Sequence, residues 1–180
     1  MPSKIVPITT TGLMPSAPAI ILYMFLDGRG HEEGTKMITN FDHCTIVIRD
    51  MGKAKDFFAL LGFEENYSAV VSGEKFDVYM GVKGIEAEHV SLVLPNSSPP
   101  QEIQLLKYRT PTPVVDPVIA RLDKVGYNHL CLAVDDIEGE VKRLKGKGIR
   151  FLNEIMEFRG RKLTFFSGPE EITLELSQRV

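Results

Sequence analysis

The chain repeats itself, and the repeat limits its fold more than any other feature. Laid on itself with an offset of 86 and no gap, it matches His43 to His129, Asp50 to Asp136 and Gly62 to Gly148. Between these landmarks the apolar positions also agree: Ile46 with Leu132, Ile48 with Val134, Met51 with Ile137, Phe58 with Leu144, and Phe63 with Ile149. Three identities would be weak support. A period of two followed by a period of 3.6, with cap and stop in register, is much stronger.

Each copy reads the same way. NFDHCTIVI has the β-branched, apolar character of a buried strand. Asp50 follows at a helix N-cap, where its carboxylate accepts from first-turn amides. Met51, Ala54, Phe58 and Leu61 keep helical spacing, and Gly62 supplies the stop. Strands are expected over about Phe63–Val71, Glu88–Leu94 and Glu102–Tyr108. FDVYMGVKGIE, between the first two, offers a further strand or a flap, and NSSPP reads as a turn. In the second copy YNHLCLAV is the strand and Asp135/Asp136 the cap. Ile137, Val141 and Leu144 form the helix stripe, and Gly148 ends it. GIRFLNEI, RKLTFF and ITLELSQ supply three more strands. EIQLLKY corresponds to ITLELSQ, so Gln104 and Glu175 stand at equivalent points. The expected class is therefore α+β, with two βαβββ modules in tandem.

The division expected is a first module at 37–108, a linker at 109–126 and a second module at 127–180. The linker carries Pro111, Pro113 and Pro117, then VIARLDKVG as a short helix. Residues 1–36 differ from the rest, with Pro2, Pro7, Pro15, Pro18 and the run DGRGHEEG. They read as an N-terminal arm or as a mistranslated leader ahead of a start at Met37, the second being preferred.

Composition narrows the partners. Lys+Arg 21 against Asp+Glu 24 gives a net charge of -3, without the basic footprint of a nucleic-acid binder or a polybasic lipid patch. The apolar stretch Ala17–Leu26 is too short to span a bilayer and lacks signal-peptide flanks. The expected location is cytoplasmic, with no membrane and no nucleic-acid partner. Cys44 and Cys131 fall inside apolar runs and form no CxxC pair, so they read as core residues of a reducing compartment.

Four polar residues occupy repeat-related positions: His43 and Gln104, His129 and Glu175. Imidazole nitrogens, a carboxylate and an amide oxygen together suit one borderline divalent cation: Zn, Ni, Co, Mn or Fe(II). Taken singly, a strand histidine is more often a hydrogen-bonded core or surface residue, and a terminal glutamate an edge charge. The symmetry relating all four favours the metal. His89, Tyr108, Arg159 and Arg161 are weaker candidates for substrate binding; the arginines suit a carboxylate or phosphate, although a solvated charged turn is the commoner case. No Walker-type loop, GxGxxG, GxSxG or HExxH occurs.

FDHCTIVIRD with its helix and LLGFE, EIQLLKY, YNHLCLAVDDIEGEVKRLKGKGIRF and GPEEITLELSQ together resemble the vicinal oxygen chelate superfamily, which includes glyoxalase I, methylmalonyl-CoA epimerase, extradiol dioxygenases and fosfomycin- and bleomycin-resistance proteins. The likeness covers about Ile38 to Gln178. It implies a glyoxalase-like fold in which the sheets form a curved cup around one divalent metal, with His43, Gln104, His129 and Glu175 at the four usual ligand positions. A His/Gln/His/Glu set is similar to that of methylmalonyl-CoA epimerase. That enzyme's catalytic glutamate on the third strand aligns with Val90 here, beside Glu88, His89 and Ser91.

The expected function is metal-dependent proton abstraction next to a carbonyl in a small carbonyl or thioester substrate. This is isomerase, epimerase or lyase chemistry, with Glu175 as the base because Gln104 has no proton-accepting carboxylate. An Fe(II) extradiol-type dioxygenase using His43, His129 and Glu175 is one alternative, and a non-catalytic small-molecule-binding resistance protein another. Pairing of the modules within one chain or across a homodimer stays open. Phe76–Glu86, the linker and the FRGRK turn are the expected determinants of specificity.

Overall fold

In β1 (His43–Val47) alternate side chains go to opposite faces, so Ile46, and Ile48 just beyond it, are buried while His43, Thr45 and Val47 face outward. The computed structural model describes residues 38–95 and 97–180, and the proposed arm or leader at 1–36 lies outside the described residues. Helix α1 (Met51–Leu60) starts where the Asp50 carboxylate accepts from the Lys53 N–H at 3.1 Å. Its Ala54 and Phe58 are buried. It ends in a six-to-one turn, with Phe63 N–H donating to Phe58 O and Gly62 N–H to Ala59 O. That geometry needs Gly62 at φ 90.

The chain continues through β2 (Glu64–Ser72), α2 (Glu74–Met80), β3 (Glu86–Leu94) and β4 (Gln101–Thr110). These strands form one sheet in the order β1-β4-β3-β2, with β1 parallel to β4 and the other neighbours antiparallel.

The second copy uses the same devices. β5 (Leu130–Ala133) leads to Asp136, which caps α3 (Ile137–Gly146) through the Gly139 N–H at 3.0 Å. Gly148, at φ 85, closes an identical turn onto Leu144 and Lys145. β6 (Met156–Phe158), β7 (Arg161–Ser167) and β8 (Thr173–Arg179) complete a sheet ordered β5-β8-β7-β6. Strand registers repeat as well. Thr45 stands opposite Gln104 in one sheet, and Cys131 opposite Glu175 in the other. The glyoxalase-like pair of mixed sheets expected from the sequence is present.

Three segments differ from expectation. Where a strand or flap was expected near Phe76, the chain forms α2, because Asp77 accepts from the Gly84 and Ile85 amides and winds the segment back. VIARLDKVG makes turns, not a helix. GIRFLNEI contributes only a bridge between Phe151 and Phe166, since Asn153 Oδ1 takes the Phe165 N–H that a strand carbonyl would otherwise accept.

One apolar cluster joins the two modules. Phe58, Leu92 and Leu105 from the first lie in it with Leu144, Phe166 and Leu176 from the second. Phe57 of α1 stacks on Phe166 of β7, with centroids 6.3 Å apart and an interplanar angle of 23°. The faces turned away from this core carry the polar residues of interest. No helix among the described residues is long and apolar enough to cross a membrane.

Candidate functional site

On the outer face of the first sheet, residues fall into cross-strand rows. Thr45, Gln104, Ser91 and Tyr67 form one row, and Val47, Leu106, His89 and Ala69 the next. His43 begins β1 at the edge of this face. With α2 roofing one side, these residues border a cavity of about 500 Å³ lined by His43, His89, Gln104, Tyr67, Phe76 and Leu106 among others. Gln104 Oε1 accepts from the Thr45 hydroxyl at 3.3 Å, and its Nε2 donates to Glu102 Oε1 at 2.8 Å. His89 lies tilted against Tyr67 with centroids 6.3 Å apart.

The outer face of the second sheet repeats the plan. His129, immediately before β5, sits against Phe165 at 5.1 Å between centroids. Its Nε2 is 3.4 Å from Glu175 Oε2, and Glu175 is only 8% exposed. A smaller cavity of about 280 Å³ borders Glu175, with Met156, Phe158, Leu163 and Phe165 as its walls.

Both histidines are oriented alike by the residue before each. His43 Nδ1 is 2.6 Å from Asp42 Oδ2, and His129 Nδ1 is 2.7 Å from Asn128 Oδ1. Asp42 and Asn128 are themselves related by the 86-residue offset. A carboxylate or amide oxygen only accepts, so Nδ1 carries the hydrogen and Nε2 keeps its lone pair free. Metal-binding histidines are usually oriented in this way. As donor sets, His43 Nε2 with Gln104 Oε1, and His129 Nε2 with Glu175, each fit half of a divalent-cation site. Within one chain the halves stay apart: among the described residues no three His, Cys, Asp or Glu side chains gather into a metal-sized group.

The other sequence candidates are placed as follows. His89 lines the first cavity. Tyr108 lies on the same face, two rows beyond Gln104 and outside the cavity lining. Val90 points into the core opposite Leu105, so the position aligned with the epimerase base faces away from the site, and His89 and Ser91 face it instead. Arg109, the neighbour of Tyr108, pairs with Glu86 and Glu88 at 2.8 and 3.0 Å. Arg161 lies on the Glu175 face, and Arg159 occupies the β6–β7 turn with its guanidinium 5.4 Å from the Phe158 ring centroid.

Cys131 corrects the core-residue reading. It is exposed and shares a row with Glu175, because the run LCLA is apolar on both faces and alternation does not reveal which side Cys131 takes. Desolvation, then hydrogen bonding to Glu175 and its charge, push the thiol up to about 12, leaving it an S–H donor to that carboxylate. Asp42, Asn128 and Cys131 are the neighbours that reading the four donors alone misses. The repeat offset would have pointed to all three.

Residues 42–165 match the family model of the glyoxalase/bleomycin resistance protein/dioxygenase superfamily. Among solved structures, a glyoxalase family protein from Bacillus cereus is 25% identical, with a TM-score of 0.71 over 79% of this chain and 95% of its own. A glyoxalase family protein from Enterococcus faecalis is 24% identical, with a TM-score of 0.54 over 77% of this chain and 96% of its own. The fosfomycin resistance protein FosX from Listeria monocytogenes, solved with Mn(II) and sulfate, is 16% identical, with a TM-score of 0.52 over 80% of this chain and 95% of its own. Comparison with curated proteins finds no match.

Proposed function

The chain belongs to the glyoxalase/bleomycin resistance protein/dioxygenase superfamily, and on that premise we propose that it is a divalent-metal-dependent enzyme that removes a proton next to a carbonyl. The reaction is an isomerisation, epimerisation or lyase step of the glyoxalase I or methylmalonyl-CoA epimerase type. The observation carrying this reading is the matched pair of histidines, each with Nδ1 tied back and Nε2 free, one of them 3.4 Å from Glu175. We assign His43 and Gln104 of one protomer, with His129 and Glu175 of its partner, to a single site. This fits the separation of the two halves within one chain and the position of β1 and β5 as edge strands of their sheets.

A bound divalent cation would supply Lewis-acid polarisation of the substrate carbonyl. Glu175 takes the proton from the adjacent carbon, its low exposure keeping water from competing for it. The Cys131 S–H donates to that carboxylate and holds it in place. Gln104 brings an oxygen donor without a second negative charge, which suits a reaction that builds negative charge on the substrate. His89 faces the substrate from the opposite wall.

The test is subunit complementation. His43→Ala and Glu175→Gln proteins, each inactive alone, are mixed, denatured and refolded, then assayed on thiohemiacetals and acyl thioesters with metal content measured. Mixed dimers carry one intact site, so roughly a quarter of wild-type turnover should return. No recovery, with each variant still folded, would place the site within one chain. Full turnover in Glu175→Gln would remove its role as base.

The engagement of both ends of Gln104 by Thr45 and Glu102 favours one other reading. If Gln104 stays so engaged, His43, His129 and Glu175 form the set of an Fe(II) dioxygenase. Oxygen uptake with catechols after anaerobic Fe(II) loading decides between the two.

A further inference from the structure

The arginines among the described residues divide into two groups. Arg49, Arg109, Arg121, Arg143 and Arg150 each have a carboxylate oxygen within 2.5–3.0 Å. Among the described residues, Arg159, Arg161 and Arg179 have no such partner, and all three lie at one end of the second sheet. Arg161 and Arg179 are directly opposite each other in the β7–β8 register. Like charges facing each other across strands destabilise a sheet, and here no side chain offsets them.

These arginines share a face with Glu175. Along β8, Glu175, Ser177 and Arg179 alternate with the buried Leu174 and Leu176. Along β7, Arg161, Leu163 and Phe165 alternate with the buried Thr164 and Phe166. Arg161 is half-buried and leans towards Glu175, its Nη1 donating to Ser177 Oγ at 3.1 Å. One of its five N–H groups is thereby used, and the planar fork stays available. Leu163 and Met156 line the surface beside it, and an apolar surround strengthens a charge-assisted hydrogen bond.

We propose that Arg161 and Arg179 form an oxyanion subsite that binds a carboxylate or phosphate group of the substrate while its reacting carbon lies at Glu175. Its role in substrate binding rests on the function proposed above; the anion binding does not. Ser177 is two and Arg179 four residues from Glu175, so anion and reacting carbon are about 7–13 Å apart at the usual rise of a strand. That span needs several atoms between the anionic group and the reacting carbon, as in a thio-linked dicarboxylate or a longer phosphoester. Bound between the two guanidiniums, the oxyanion relieves their mutual repulsion and selects anionic over neutral carbonyl substrates.

The test uses chelator-treated protein, so it does not depend on metal. Succinate and inorganic phosphate are titrated calorimetrically at constant ionic strength set with chloride. Saturable binding of at least one is expected, and which one binds identifies the group. Arg161→Gln should weaken it about tenfold or more, and Arg161→Lys should weaken it less because the charge is kept while the fork is lost. The exposed Arg179→Gln should also weaken binding, and it guards against a folding defect at Arg161. Arg150→Gln, whose side chain pairs with Glu171, should bind as wild type. Glu175→Gln should keep anion binding whatever happens to its metal. Equal affinity in wild type, Arg161→Gln and Arg179→Gln, or no saturable binding of either anion above chloride, overturns the proposal without touching the metal site.

Discussion

Replacing Phe166 by leucine tests whether the two modules are one cooperative structure. Phe166 is completely buried. It stacks on Phe57 of the first module and lies 5.5 Å from Phe151 of its own. Complete truncation of such a side chain costs about 3–5 kcal/mol, a large part of a domain's stability. Leucine keeps more than half of its carbon atoms, so the expected loss is about 1–2 kcal/mol. With a urea slope near 2 kcal/mol/M, the midpoint should fall by about 0.5–1 M. Because the chain has no tryptophan, tyrosine fluorescence and far-ultraviolet dichroism are the two probes, and their transitions should coincide. A double-mutant cycle with Phe57→Leu should give a coupling of about 0.5–1.5 kcal/mol. Two separate transitions with only one displaced, or a coupling near zero, would refute a core shared between the modules.

Removing the α3 cap by Asp136→Ala should cost about 1 kcal/mol in the same urea assay, and Asp50→Ala should destabilise α1 by the same mechanism. Arg159 sits at φ 48 in the β6–β7 turn beside Gly160 at φ 72, where asparagine is preferred; Arg159→Asn should raise stability by up to about 1 kcal/mol. Asp42→Ala and Asn128→Ala should each weaken metal binding about 10–100-fold, measured by competition with a chromogenic chelator, while leaving the fold intact. Burial raises the Tyr127 hydroxyl, which donates to Thr173 O at 2.7 Å, from 10.0 to about 12. The unfolded chain therefore ionises first, and the stability held below pH 10 is lost as pH rises from there to about 12. Tyr127→Phe should flatten that part of the pH–stability curve.

The repeated parts were the legible ones. β1 with α1, and β5 with α3, rest on local period, an aspartate cap and a glycine stop, each encoded within a few residues of where it acts. α2 depends on Asp77 reaching the amides of Gly84 and Ile85, and β6 starts late because Asn153 replaces a ladder carbonyl. Such side-chain captures leave no periodic trace. The four donor positions followed from symmetry, but their division into two pairs depends on how the modules pack. The grouping of Arg159, Arg161 and Arg179 was also hidden, because only the fold shows which arginines have found a carboxylate.

Helix α2 buries no residue and has no counterpart in the second module. It roofs the cavity lined by His43 and Gln104, while nothing in the shared core rests on it. Substitutions there can reshape what the first cavity admits at little cost to folding. On the proposed reading the two halves are thus unequally free to diverge: the second keeps its carboxylate and arginines, while the first can acquire new substrates by remodelling seven residues.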